Sequence, residues 1–312
     1  MKILITGGRG YFGTWLVRHF QNLGYDVDIL SRSTSREGVS PQAGLLSCDL
    51  RDDQKLLELL KSKPSYDVCI HTGSQNDQFE DDYETQALLV NGLGTRNLAK
   101  ALCANQTGRV IYFSTFHVYG RVSGEIHEDL KPLPLKDYGT THLVGEIYLS
   151  QFSRSFGLPA TILRITNGYG APLFPDCSKW YLIHNDLSKM AYETKRILLQ
   201  SNGLARRDFI WMGDVCGAVE QLIQRKNPGD LELFNVGSET SLSMLEIAKK
   251  VQEAYLEHYS QTIPIETNSS DSTRHTEPPL VDCTRLKQEI DFQTHPRLVE
   301  EAINIFKLLE RS

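Results

Sequence analysis

Apolar residues follow two different spacings along the chain up to about residue 225. Short, nearly continuous apolar runs predict β-strands over residues 2–6, 26–30, 44–47, 67–71, 108–114 and 160–165. Between these runs, apolar positions recur every three or four residues and predict helices near 14–23, 52–62, 84–104 and 140–156. Because parallel neighbouring strands need crossover connections, this alternation predicts a parallel sheet with helices on both faces.

The pattern loosens after Asn167. Helical periodicity there predicts helices over residues 187–200, 215–224, 243–257 and 296–309, with short strands at 233–236 and 262–265. We therefore predict an α/β protein whose doubly wound parallel sheet is followed by a smaller C-terminal α/β part. The predicted boundary lies between residues 166 and 167, and segments near 205–240 return to the first part.

A glycine-rich turn, TGGRGYFG at residues 6–13, joins the first predicted strand to the first helix. Gly8, Gly10 and Gly13 have the spacing of a dinucleotide-binding loop. Gly8 would allow the tight turn, Gly10 would let the backbone approach a pyrophosphate, and Gly13 would let the helix pack closely. The helix N-terminus would then face the phosphates. The alternative is a glycine turn without a ligand. We predict a Rossmann-type dinucleotide-binding domain over residues 1–166 and a mainly substrate-binding part over 167–312, with cofactor contacts from Gly7, Gly10, Tyr11, Phe12 and Gly13.

Composition narrows the class of protein. The 312 residues are 40% hydrophobic and 23% charged, which is typical of a soluble globular protein. A net charge of −6 argues against nucleic acid as the main partner. No apolar run has membrane-spanning length, and the first strand begins at residue 2, so we expect no leader, no membrane partner and a cytoplasmic location. Six scattered cysteines without zinc spacing predict no metal site.

The end of the second predicted strand bears on the choice of cofactor. Ser31 and Arg32 stand there and Arg36 follows, whereas Asp28 lies inside the strand. A hydroxyl with guanidinium groups suits a 2′-phosphate, so we expect NADP, with NAD as the alternative if these arginines are only solvated charges. Asp49 is expected to meet the adenine amino group, and the side chain of His71 is expected to be structural. The ends of the third and fourth strands add to the predicted cofactor contacts Asp49, Leu50, His71, Thr72 and Gly73.

Two later segments carry a family resemblance. STFHVYG at residues 114–120 and YGTTHLVGE at 138–146, with the glycine-rich turn, resemble the extended short-chain dehydrogenases/reductases, specifically the NAD-dependent epimerase/dehydratase (nucleotide-sugar) family. Further matches occur in family order at residues 163–170, 207–215 and 234–237. The resemblance implies that Tyr138 exchanges a proton with a sugar hydroxyl while hydride passes to or from nicotinamide. It also implies that Thr115 stabilises the charge on the same oxygen.

Position 142 departs from that family. Relatives have a lysine four residues after the tyrosine, which lowers the tyrosine pKa and bonds the nicotinamide ribose; this chain has His142. A histidine donates to ribose but is mostly neutral at pH 7. Three alternatives follow. A neighbour keeps His142 protonated; the enzyme is slow or favours alkaline pH; or catalysis has been lost and only dinucleotide binding is kept. Since Thr115 and Tyr138 remain, we expect a working enzyme, with His142 contacting both catalytic tyrosine and cofactor.

His117 occupies a second informative position. In the 4,6-dehydratases of the family an Asp–Glu pair follows the Ser/Thr, whereas Phe116 and His117 stand here, which argues against a conventional 4,6-dehydratase. His117 is either a second acid/base beside a keto group, with His184 or Tyr181 as its partner, or a packed residue under the cofactor.

On the substrate side, the resemblance implies that Asn167 lies near the sugar or its diphosphate and that Arg207 and Arg274 bind the pyrophosphate. The alternative for Arg207 is an ion pair with Asp208 or Asp214. A homodimer through the helices near 84–104 and 140–156 is also implied.

Together these features predict an NAD(P)-dependent 4-ketosugar reductase or 4-epimerase acting on the hexose of a nucleotide-diphosphate sugar. One alternative is a non-catalytic dinucleotide-binding regulator or subunit, motivated by His142. Another is an enzyme of the same fold that acts on a non-nucleotide carbonyl compound.

Overall fold

The computed structural model describes residues 1–35, 42–76, 81–120, 123–175, 179–268 and 277–311. Its strands are β1 Lys2–Thr6, β2 Asp26–Ser31, β3 Gly44–Ser47, β4 Val68–His71, β5 Val110–Thr115, β6 Gly124–Ile126, β7 Ala160–Ile165, β8 Asn167–Tyr169, β9 Ile197–Leu199, β10 Arg206–Trp211, β11 Leu231–Val236, β12 Ser241–Ser243, β13 Ile265–Thr267 and β14 Pro279–Val281. Its helices are α1 Tyr11–Asn22, α2 Asp53–Lys61, α3 Tyr83–Ala87, α4 Thr95–Asn105, α5 Asp137–Phe156, α6 Ile183–Thr194, α7 Met212–Gln224, α8 Met244–Tyr259, α9 Thr284–Glu289 and α10 Leu298–Leu309.

Seven strands form the main sheet in the order β11-β7-β5-β4-β1-β2-β3, and every neighbouring pair is parallel. The strand order reverses between β1 and β4, where Thr6 stands beside His71. At such a switch point the loops that leave the two strands diverge and open a crevice at their carboxyl ends. The predicted doubly wound Rossmann-type sheet is therefore confirmed.

The first six predicted strands and four predicted helices occur at nearly their predicted positions. The predicted helix near 84–104 is a rod in which a π-helical segment, Leu88–Gly94, separates α3 from α4. The prediction for residues 187–200 was wrong at its end. Lys195 takes a left-handed conformation with φ of 60°, which stops α6, and the chain then enters β9. The strand predicted at 262–265 lies later, at β13.

A second layer is built on the carboxyl side of the main sheet. β10 pairs in parallel with β8 and antiparallel with β12, while α6, α8 and α10 pack together around a separate apolar core that includes Leu187, Val251 and Phe306. β11 lies in the main sheet beside β7. The division between residues 166 and 167 remains a prediction.

The backbone is closely packed at the start of α1. A Cβ atom on Gly13 would overlap the carbonyl oxygen of Gly7 and lie 2.6 Å from the Cα of Gly8. Gly217, in the middle of α7, has open space where its Cβ would stand.

We expect Gly13→Ala to lower the free energy of unfolding by about 1–3 kcal/mol, because the methyl group meets backbone that cannot rotate away. Gly217→Ala is the matched control and should raise it by about 0.5–1 kcal/mol through helix propensity alone. Urea unfolding followed by circular dichroism measures both. Equal stabilities of Gly13→Ala and the wild type would contradict the close packing.

Candidate active site

The loop after β1 forms a backbone cradle at the switch point. Gly7 has φ of +68°, and a Cβ on it would lie 2.7 Å from the Cα of Gly73 in the loop after β4. The left-handed residue of the turn is therefore Gly7 and not Gly8, which was expected to make the tight turn but packs on Ile29. α1 begins at Tyr11 with Gly10 as its N-cap and carries no acidic residue in its first turn. This cradle fits an anionic pyrophosphate.

Tyr11 and Phe12 support the glycine-rich loop by contacts with neighbouring segments of the chain. The Tyr11 hydroxyl donates to the Gly170 carbonyl oxygen at 2.5 Å, and the Phe12 ring lies against Gly168 and Phe113. Both rings thus join the start of α1 to the strand that carries Asn167. Their predicted cofactor contacts remain predictions.

From the sequence, the adenosine end of a dinucleotide is expected at the ends of β2 and β3. Ser31 and Arg32 close β2, and Arg36 lies outside the described residues. The Asp28 carboxylate is engaged elsewhere, since the Tyr66 hydroxyl donates to it at 2.7 Å. The Arg51 guanidinium donates to both oxygens of Asp49 and holds the pKa of that carboxyl below its ordinary value. Asp49 is thus fixed as an ionised acceptor.

The residues at the end of β4 form hydrogen bonds with Thr6 at the end of β1. His71 is fully buried, and its ring nitrogens face the hydroxyls of Thr6 at 2.6 Å and Thr95 at 2.9 Å. No polar atom of its side chain remains for a ligand, which agrees with the structural role expected for the side chain. Thr72 donates to the Thr6 carbonyl oxygen at 2.8 Å. Leu50 packs against Gly73 from the other side.

Thr115 and Tyr138 meet where β5 ends and α5 begins. Thr115 is 3% exposed, and its hydrogen bond to the Tyr138 phenol lowers the tyrosine pKa. Burial has the larger effect and raises the Tyr138 pKa overall, while Tyr181 raises it further and the charge of Lys179 lowers it. The phenol is therefore held in its protonated form in this state, and removing its proton needs help from charges nearby.

His142 lies one helical turn after Tyr138, with the two ring centres 4.8 Å apart. It is 2% exposed, and burial, with a smaller contribution from His117, lowers its pKa to about 3. Its Nδ1 is 3.0 Å from the Tyr112 hydroxyl, whereas its Nε2 has no hydrogen-bond partner. Of the three alternatives for His142, the one in which a neighbour keeps the ring protonated has no support in this geometry, because burial favours the neutral imidazole.

His117 stands at the open side of the catalytic pair, with its ring centre 5.5 Å from that of Tyr138. His117 is exposed. Desolvation by the surrounding protein, followed by the charges of Arg207 and Lys136, lowers its pKa to about 4. His117 is therefore a neutral imidazole that can accept a proton.

Of the two partners suggested for His117, only one lies on the catalytic side. His184 is 1% exposed and its Nε2 donates to the Leu298 carbonyl oxygen at 2.9 Å, so its side chain is occupied by α10. Tyr181 is 40% exposed and acts electrostatically on Tyr138.

Asn167 and Arg207 lie on the neighbouring strands β8 and β10. The Asn167 amide donates to the Asp208 carbonyl oxygen at 2.7 Å. The ion-pair alternative for Arg207 is wrong: Asp208 accepts from Thr166 at 2.6 Å, and Asp214 is 2.7 Å from His295. Arg207 is exposed, and its charge acts on His117. Arg274 lies outside the described residues.

The sequence interpretation missed a buried ion pair beside the candidate catalytic residues. Arg164 on β7 donates to both carboxylate oxygens of Glu146 on α5, at 3.0 and 2.7 Å. Ser114 on β5 donates to the same carboxylate at 2.5 Å. An arginine inside an otherwise apolar strand was the available signal, because such a charge needs a buried partner. Tyr112, the partner of His142, left no comparable signal.

Two negative findings concern the described residues alone. No group of three or more histidine, cysteine or acidic side chains is placed to hold a metal ion. No helix among them has the length and apolarity needed to cross a membrane.

Comparisons with known proteins agree with this geometry. The model of the NAD dependent epimerase/dehydratase family matches residues 3–237. A putative UDP-glucose 4-epimerase of Methanocaldococcus jannaschii is 30% identical over 78% of this chain and 79% of its own length. A dTDP-glucose 4,6-dehydratase of Streptomyces niveus is 23% identical over 94% of this chain and 88% of its own. UDP-glucuronic acid 4-epimerase of Bacillus cereus, solved with UDP-glucuronic acid and NAD, superposes with a TM-score of 0.81 at 22% identity, covering 100% of this chain and 99% of that one. This last likeness shows the fold alone.

The buried neutral histidine makes stability depend on pH. Folded His142 has a pKa of about 3, whereas an unfolded histidine titrates near 6.5. The stability that the neutral ring contributes is therefore complete above about pH 6.5 and is lost as pH falls toward 3, because only the unfolded state takes up the proton.

We expect the wild type to lose about 2 kcal/mol more than His142→Gln between about pH 7.5 and pH 5, measured by urea unfolding at both values. His127→Gln, which removes a surface imidazole, is the control and should behave as the wild type. An equal loss in the wild type and His142→Gln would show that His142 is protonated in the folded protein.

Proposed function

The chain belongs to the NAD dependent epimerase/dehydratase family, and on that premise we propose that it is a 4-epimerase acting on the hexose of a nucleotide-diphosphate sugar. The observation that carries the proposal is the pairing of Thr115, at the end of β5, with Tyr138, in the first turn of α5, where Thr115 acts to lower the Tyr138 pKa. Two neighbouring hydroxyl groups suit a sugar oxygen that gains and loses a proton. The name of the 30% identical relative favours epimerisation over dehydration.

The residues present fit a bound dinucleotide. The cradle that a Cβ on Gly7 would fill, and the start of α1 after Gly10, suit a pyrophosphate. The buried, unpartnered Nε2 of His142 suits a hydroxyl near the catalytic tyrosine. When bound, the nicotinamide supplies a site that accepts and returns hydride.

Within this proposal each side chain has a defined task. Tyr138 takes the proton of the sugar hydroxyl, and Thr115 donates to the same oxygen and stabilises its developing charge. Arg207 and Lys136 place positive charge on the open side of the cleft, where a diphosphate is attracted. Asn167 presents its amide from the strand beside Arg207.

A second candidate function is supported by a specific observation at the adenosine end. Ser31 and Arg32 close β2, and a hydroxyl beside a guanidinium suits the 2′-phosphate of NADP. NADPH would favour net reduction, which makes the chain a 4-ketosugar reductase. NAD remains the choice favoured by the family and by the solved relative that binds it.

The oligomeric state and the cellular location of the protein remain proposals. We expect a homodimer through α3–α4 and α5, where Leu88 is 50% exposed and Ile147 is 59% exposed. A cytoplasmic protein without a nucleic-acid or membrane partner is the expectation from composition.

The first test measures bound dinucleotide and turnover with UDP-, dTDP-, GDP- and CDP-hexoses and their 4-keto derivatives. Retained NAD with interconversion of two sugars is expected, and Tyr138→Phe should lower the rate at least about 100-fold while dinucleotide affinity is kept. Tyr148→Phe, on the same helix, is the matched control. Consumption of NADPH with a 4-keto sugar would establish the reductase. Dinucleotide binding without turnover between about pH 6 and pH 10 would instead favour the non-catalytic alternative.

The role of His117 is tested by running the reaction in deuterium oxide. Simple 4-epimerisation returns the same hydrogen to carbon, whereas a base that acts beside the 4-keto group exchanges a carbon-bound proton with solvent. For the proposed 4-epimerase we expect no deuterium at C3 or C5 of the product; deuterium that is lost in His117→Gln and kept in the surface control His127→Gln would instead assign His117 as a second acid/base. Interconversion without deuterium would show that His117 only packs beside the catalytic pair.

A further inference from the structure

A chain of buried polar side chains runs from the cofactor cradle to the catalytic helix. Thr6, at the end of β1, is 2.6 Å from His71, which is 2.9 Å from Thr95 on α4. The ring of Tyr112 lies beside that of His71 with centres 5.2 Å apart, and its hydroxyl is 3.0 Å from His142. All five residues are 2% exposed or less. Each hydrogen bond in this chain is therefore made without competition from water.

The direction of the first bonds follows from the donors. The Thr95 hydroxyl donates to the Asn91 carbonyl oxygen at 2.6 Å, so its oxygen accepts from Nε2–H of His71. Nδ1 of His71 then accepts from the Thr6 hydroxyl. Both nitrogens of His71 are thereby satisfied, and its tautomer is fixed by neighbouring groups.

His142 differs from His71 in having one satisfied nitrogen. Its Nδ1 faces the Tyr112 hydroxyl, while its Nε2 is buried without a hydrogen-bond partner. A neutral imidazole nitrogen accepts a hydrogen bond better than a phenol oxygen does, so Tyr112 donates and the ring proton stays on Nε2. Leaving that buried N–H unpaired is unfavourable, and a ligand oxygen would restore the missing hydrogen bond.

We propose that Tyr112 is a positioning residue that fixes the Nε2–H tautomer of His142, so that a neutral imidazole donates to a hydroxyl of the bound dinucleotide. The burial that lowers the pKa of His142 supports this, because the ring binds as a donor without a charge. The inference rests on the proposed function only in requiring a dinucleotide; it does not depend on the sugar or on turnover.

The test compares Tyr112→Phe with the wild type by two readouts. In protein labelled with ¹⁵N-histidine, the His142 signal should report Nε2–H in the wild type and a mixture of tautomers in Tyr112→Phe. The affinity for NADH and NADPH, titrated by fluorescence, should fall about fivefold for the better-bound dinucleotide, the equivalent of one neutral hydrogen bond.

Tyr66→Phe is the matched control. Tyr66 is also a buried phenol, 1% exposed, but its hydroxyl donates to Asp28 away from the catalytic helix. This variant should lower stability and leave both the His142 signal and dinucleotide affinity unchanged. A double-mutant cycle adds His142→Gln, whose amide has no tautomer to fix, so Tyr112→Phe should cause no further loss in that background.

The outcomes separate the inference from the proposed function. An unchanged His142 tautomer in Tyr112→Phe, or an equal loss of affinity in the His142→Gln background, would overturn the inference. Failure of the wild type to bind either dinucleotide would overturn it as well. Tyr112-dependent binding without turnover on any nucleotide sugar would support the inference while the proposed epimerase fails.

Discussion

The buried ion pair between Glu146 and Arg164 is the interaction on which the candidate site depends. Glu146 lies on the same helix as Tyr138 and His142, and Ser114, which also donates to it, precedes Thr115 on β5. Burying two charges is costly unless geometry and further hydrogen bonds offset the lost solvation, and here three donors face one carboxylate. Any rotation or sliding of α5 would break these bonds. The pair therefore fixes the register that brings Tyr138 to Thr115.

The backbone cradle fixes the geometry at the other end of the candidate site. Gly7 and Gly73 leave adjacent parallel strands, and a Cβ on Gly7 would lie 2.7 Å from Gly73. The parallel sheet brings these two loops together, and the absence of side chains lets them remain there. An anion-binding surface then follows from backbone N–H groups and the start of α1, without a charged side chain in that turn.

Hydrophobic periodicity was sufficient to predict the strands and helices of residues 1–166, because those strands are buried on both faces of the sheet and those helices are amphipathic. It failed where local conformation decides: a left-handed Lys195 ends α6, and three-residue strands such as β8 are too short for a pattern. The family resemblance pointed to Thr115, Tyr138 and position 142. It could not show that His142 is neutral, since that depends on burial between elements distant in sequence, nor that Tyr112 is its partner.

With His142 neutral, the cations near the reaction centre come from the substrate side. Lys179 lowers the Tyr138 pKa, while Arg207 and Lys136 lower that of His117. A diphosphate bound beside Arg207 and Lys136 would offset their charges and so oppose the part of the lowered His117 pKa that they cause, whereas desolvation, the larger cause, would remain. In such a site the proton-accepting strength of His117 is coupled to occupancy, whereas a lysine at position 142 would add a charge that does not depend on the substrate.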